Sequence, residues 1–247
     1  MNGEVGLICR LTAAARKAMK TGEFKFAKLP YENDIKFEFV SSDNVANTPE
    51  EWFAKVKEDG ATDIFMILPY DMNRKRLGFV NTSGATIFVK RASGKVTRFI
   101  GEWIPDNEKR VWNITMHEEI MENPPAEIPS FKNNTAPFAT VLKNAEKFAE
   151  HIGFNNFASI FKMGADVLGG AEMPEPKFKE SLPELPEAKM KLYFAADISD
   201  VFGAMGSWND SPAAKAAEMG ISDEYEMVSK ELIAHNRLAL MYAINED

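Results

Sequence analysis

The sequence predicts an α+β fold: a largely antiparallel sheet of five or six strands with N-terminal helices, followed by a helical C-terminal half packed on it. Three observations lead there. Between Asp34 and His117 apolar residues recur mainly at every second position, and beyond the Pro- and Asn-rich stretch 122–137 they recur at helical spacing. The breaks between successive strand segments are too short to hold a crossover helix, so those strands pair antiparallel with their neighbours. The change of character divides the chain into a mixed helix and sheet region, 1–122, and a helical region, 123–247, expected to pack as one compact unit.

Taken in order, Asn2 suits the cap of a first helix in which Ile8, Leu11, Ala15 and Met19 share a face, with Gly22 after its end. Ile35, Phe37 and Phe39 alternate with Lys36 and Glu38, the pattern of a strand buried on one side. Thr48-Pro49-Glu50-Glu51 writes a capping box with Pro at the first helical position, and Trp52, Phe53 and Val56 supply the buried stripe. Ile64 to Leu68 is continuously apolar, as expected of a strand covered on both faces. Leu77–Thr82, Ala85–Arg91, Lys95–Ile104 and Arg110–His117 then read as a meander, with Phe99 and Trp103 on one face and Trp112, Ile114 and Met116 facing them.

In the second half, Phe138, Leu142, Ala145, Phe148 and Ile152 form one apolar stripe, and Phe157, Ile160, Phe161 and Leu168 another, so the two helices form a hairpin. A connection carrying Pro174, Pro176, Pro183 and Pro186 is extended and semirigid. Long helices follow from about Glu187 to Met205 and from a Ser222 cap to Ile244, with a short Pro212-initiated helix between them. Trp52, Phe37, Phe39, Ile64, Met66, Phe138, Phe148, Phe161 and Leu232 are expected in the core.

Composition limits the destination. The 247 residues are 45% hydrophobic and 27% charged, with a formal net charge of −8. That balance excludes disorder, collagen and coiled coil. The charge is uneven: residues 1–100 hold 16 bases against 12 acids, and the remainder 13 against 25. A net acidic chain repels nucleic acid, and its acidic second half suits a basic protein partner. Cys9 is alone, so neither an internal disulfide nor a thiolate zinc cage can form, which favours a reducing cytoplasm. Residues 1–20 carry Glu4, Arg10, Arg16 and Lys17 among their apolar positions and do not read as a secretion signal. No run of apolar residues is long enough to span a membrane, so the protein is expected to be soluble.

Nucleophile elbows, dinucleotide and phosphate loops and zinc-protease motifs are absent. His117, His151 and His235 fall on three separate elements, and His235 shares a helical stripe with Leu232 and Ala239, the place of a buried, hydrogen-bonded imidazole. Three constellations remain. Trp208, flanked by Gly206, Ser207, Asn209 and Asp210, stands outside any periodic apolar pattern; it either plugs the core from a loop or, with Asn209 and Asp210, presents a partner-binding surface. Arg74, Arg76, Arg91 and Arg98, interleaved with phenylalanines, are candidates to hold a small anion such as a nucleotide. Asp197, Asp200 and Asp210 are candidates to hold a divalent cation in an enzyme. The leading expectation is a non-enzymatic cytosolic binding protein that engages a protein partner, as an inhibitor or immunity-type factor does, without a cofactor; anion capture and metal-assisted catalysis are the alternatives.

Overall fold

The computed structural model describes residues 1–40, 45–70, 84–124, 127–175, 178–203 and 205–247. The elements run α1 (Gly3–Thr21), β1 (Glu32–Glu38), β2 (Val45–Ala46), α2 (Pro49–Glu58), β3 (Ala61–Ile67), β4 (Thr86–Arg91), β5 (Val96–Asp106), β6 (Val111–Ile120), α3 (Thr135–His151), α4 (Asn155–Leu168), α5 (Glu187–Ser199), α6 (Ser211–Glu218) and α7 (Ser222–Asn245). The fold is α+β, and the described strands form a mostly antiparallel sheet of six in the order β2-β1-β6-β5-β4-β3. The expected strand Leu77–Thr82 lies outside the described residues.

One pairing departs from the antiparallel meander. β1 runs parallel to β6, with Ile35 opposite Ile114 and Phe37 opposite Met116. The chain reaches this arrangement because α2 carries it from the β1 edge to the far edge, whence β3 to β6 return by hairpins. Local chemistry starts the helices as expected: Asn2 Oδ1 accepts from Glu4 N at 2.9 Å, and Thr48 Oγ1 accepts from Glu51 N at 3.2 Å while the Glu51 carboxylate takes Asn47 N. Gly22 closes α1 in the left-handed conformation, φ 82°.

Strand alternation sorts the sheet into two faces. Ile35, Phe37, Ile64, Met66, Ile87, Val89, Phe99, Ile114 and Met116 point into the core, each at most 2% exposed. α1, α2 and α7 pack on that side, and Phe37 stacks on Trp52 with ring centroids 4.9 Å apart. α3, α4 and α5 pack on one another and on α7. All nine residues expected in the core are buried. On β3 the successive residues Ile64, Phe65 and Met66 are all buried, as expected of a strand covered on both faces, although it lies at the edge of the sheet; on one face Phe65 stacks on its cross-strand neighbour Phe88 at 5.2 Å.

Two helix ends differ from expectation. α5 stops at Ser199 instead of continuing to Met205, because Asp200 leaves the helix (ψ 71°) and gives its carboxylate to Arg237 on α7 at 3.0 and 3.1 Å. Ser222 does not cap α7; Ile221 occupies that position, since its N–H is tied back to Ala216 O at 2.9 Å after the turn at Gly220. Among the described residues no helix is long and apolar enough to cross a membrane.

Candidate functional site

The sequence constellations are placed as follows. Trp208 is fully buried: Phe157 and Phe161 meet it edge-on at 5.4 and 5.2 Å, Tyr225 stacks on it at 5.8 Å, and its Nε1–H donates to Ser229 Oγ at 2.8 Å. The indole plugs the helical core and is not displayed. Asn209 and Asp210 shape the loop around it: the Asn209 amide exchanges bonds with both backbone groups of Gly203 at 2.8 and 2.9 Å, and Asp210 Oδ2 accepts from Gly206 N at 2.7 Å.

Arg74 and Arg76 lie outside the described residues. Arg91 and Arg98 are on opposite faces of the sheet, as their odd and even positions on adjoining strands require. Arg91 is buried and spent on Glu118 at 2.8 Å and Thr97 Oγ1 at 2.7 Å; Arg98 is exposed and paired with Glu119. The three aspartates are also separated in role. Asp197 faces the Met1 amino group at 3.1 Å, Asp200 is paired with Arg237, and Asp210 closes its own loop. Burial raises the Asp200 carboxyl, but the Arg237 guanidinium, the Met1 ammonium and the Asn2 N–H together outweigh it and hold the group below its usual value. Among the described residues no group of three or more His, Cys, Asp or Glu is placed to hold a metal ion. His235 is not the satisfied core imidazole expected: its side chain is 23% exposed, Nε2 lies 3.6 Å from Glu231, and its buried Nδ1 has no hydrogen-bond partner among the described residues.

The arrangement that does converge is aromatic. Trp103 near the end of β5 and Trp112 at the start of β6 flank one hairpin turn, and the register sets Trp103 opposite Ile114 and Trp112 opposite Pro105. Their rings are 5.9 Å apart with planes at 68°, so they form two walls meeting at a corner. Tyr31 is joined to this corner through its carbonyl, which accepts from Trp112 N at 2.7 Å. The first turn of α1 packs against it: a Cβ on Gly3 would sit 3.4 Å from Trp103 Cη2 and 3.9 Å from Tyr31 Cε2. On the strand, Gly101 lets the indole lie back, since a Cβ there would come within 3.1 Å of Trp103 Nε1.

Phe202 completes the ring set from the loop after α5. That loop is anchored at both ends, by Asp200 in the Arg237 fork and by Gly203 on the Asn209 amide. Asn2 N also donates to Asp200 Oδ2 at 2.9 Å, which ties the start of α1 to the same post. Tyr31, Trp103, Trp112, Phe202, Gly3 and Glu4 thus line a cavity of about 400 Å³ together with Met1, Asn2 and Gly203. A second cavity, about 410 Å³, shares Met1, Asn2 and Tyr31 and extends under the proline-rich connection, where Met163, Met173, Met190 and Phe194 line it.

Trp103 and Trp112 were assigned to one sheet side by their alternation, but Tyr31 and Phe202 lie in irregular segments with no periodic signal. Comparison with known proteins returns no matching family model, no similar curated protein and no similar solved structure.

Proposed function

We propose that the protein is a non-enzymatic binding protein of the cytoplasm that captures a small organic molecule in the aromatic pocket at the start of α1. One observation carries the reading: four half-buried aromatic residues from four separate segments converge on one cavity of about 400 Å³. Core aromatics in this protein close on one another, as Trp52 and Trp208 do at 0% exposure. The four rings instead surround a space in the size range of small-ligand sites, roughly 300–1,000 Å³. Binding rather than turnover is supported by the lining, in which, among the described residues, Glu4 is the one ionisable side chain besides Tyr31 and no His, Cys, Ser, Lys or Arg accompanies it. The lone, buried Cys9 supports the cytoplasmic assignment.

A thermal-shift panel of small organic compounds tests the reading. A true ligand at ~100 times its dissociation constant stabilises by about 2.7 kcal/mol, and Trp112→Ala abolishes that shift in a folded protein. A panel without any stabilising compound, or a shift that survives the substitution, overturns it.

Engagement of a protein partner, in the manner of an inhibitor or immunity-type factor, is the second reading. The observation that favours it is the outward face of the sheet, where Asp34, Lys36, Glu38, Glu102 and Ile104 are exposed and which none of the helices α1, α2 and α7 covers. There His117 lies between Glu38 at 2.9 Å and Glu102 at 3.4 Å. Crosslinking in cells checks it: replacing Glu38 and Glu102 with Lys removes a stoichiometric adduct that the parent protein forms, and persistence of the adduct excludes this face.

A further inference from the structure

We infer that the ligand of the aromatic pocket is a methylated or quaternary ammonium compound, a proposal that rests on the small-molecule reading above. The faces of tryptophan and tyrosine rings carry negative electrostatic potential and attract cations, tryptophan most strongly. Here two tryptophan rings meet at 68° with centroids 5.9 Å apart, and Tyr31 and Phe202 line the same cavity. Four rings around one cavity offer the aromatic surface that a compact, weakly hydrated cation favours.

Charge points the same way. Among the described residues neither Lys nor Arg lines the cavity, while Glu4 does. The positive end of α1 opposes a cation, but Glu4 lies in that first turn and the Asp200 carboxylate accepts from Asn2 N at the helix cap. The Met1 amino group is turned to Asp197, which lines the neighbouring cavity. A primary ammonium would need several hydrogen-bond acceptors to replace its water, and four aromatic rings do not provide them. Methyl groups on nitrogen remove that need and put apolar surface against the rings, so the methylated cation is selected over its parent amine.

Indole N–H NMR reads the site directly, because Trp103 and Trp112 line the pocket while Trp52 and Trp208, both 0% exposed, serve as internal references. The probes are choline and its neutral tert-butyl isostere, dimethylbutanol. Choline is expected to move the Trp103 and Trp112 signals saturably and to bind at least ~10-fold tighter than the isostere, a difference of about 1.4 kcal/mol. Trp103→Leu and Trp112→Leu should each weaken choline by ~10-fold or more, with the two reference signals in place. Equal affinity for the isostere overturns the cation assignment and leaves the small-molecule reading standing. Failure of choline to move either signal overturns the cation assignment as well, and failure of every compound in the thermal panel to move them overturns both.

Discussion

The side-chain amide of Asn245, the last residue of α7, brackets the backbone of Met66 on β3: Oδ1 accepts from Met66 N at 2.9 Å and Nδ2 donates to Met66 O at 2.7 Å. An edge strand presents such groups unpaired, as a template for another strand. Here its outward side is filled. Arg16 donates to Ile64 O at 3.1 Å, Asp63 Oδ1 takes Ile64 N at 2.8 Å, and Met241 Sδ lies 3.3 Å from Leu68 N. α1 and α7 thereby protect the edge and seat the N-terminal helix against the sheet.

Asn245→Leu should therefore cost about 2–3 kcal/mol, since it leaves two buried backbone groups without partners. Urea denaturation measures the loss. The same variant should aggregate at concentrations where the parent stays monodisperse by light scattering.

The buried pair of Asp200 and Arg237 makes a pH prediction. The native carboxyl is held below its ordinary value of 3.8, so the unfolded chain binds the proton more tightly than the folded one. Its contribution to stability is complete above about pH 5 and is lost as pH falls through 3.8 toward the native value. Asp200→Asn leaves the Arg237 charge unpaired and should cost about 3–5 kcal/mol at neutral pH. The gap between variant and parent should narrow below pH ~4. A gap independent of pH would show that the charge of Asp200 is not the source.

Trp208 and Trp52 are both fully buried but differ at the indole nitrogen. Trp208 donates to Ser229, whereas Trp52 Nε1 has no partner among the described residues. Trp208→Phe removes a hydrogen bond as well as volume; Trp52→Phe removes an unsatisfied donor, which offsets part of its cavity cost. Thermal or urea unfolding should show Trp208→Phe as the more damaging by about 1 kcal/mol or more. Trp208→Ala should cost about 3–5 kcal/mol.

Cys9 is wholly buried in α1, and burial raises its thiol far above the usual range. A thiol reagent at neutral pH should label native protein only through unfolding. Labelling should become fast above the urea midpoint, and rapid labelling without denaturant would contradict the packing of α1.

The antiparallel sheet, both halves of the chain and the core stripes were legible because burial on one side leaves a period in the sequence: two for β5 and β6, 3.6 for α3 and α4. The parallel β1–β6 pairing was not, since nothing in the alternation of Ile35 and Phe37 states which neighbour they face. The end of α5 was likewise hidden, because the group that pulls Asp200 out of the helix is Arg237, 37 residues away.

The site divides along the same line. By itself the sequence determined that the chain folds as α+β, that Trp103 and Trp112 share a side of the sheet, and that the commonest catalytic motifs are absent, all consequences of local spacing and residue type. Only the tertiary structure decided that Trp208 fills the core, that Arg91 is consumed by Glu118, and that Tyr31 and Phe202 join the two tryptophans around a cavity. The physical reason is that periodicity records which side of an element is dry, while the choice between a packed plug and an open pocket depends on distant segments arriving to close it.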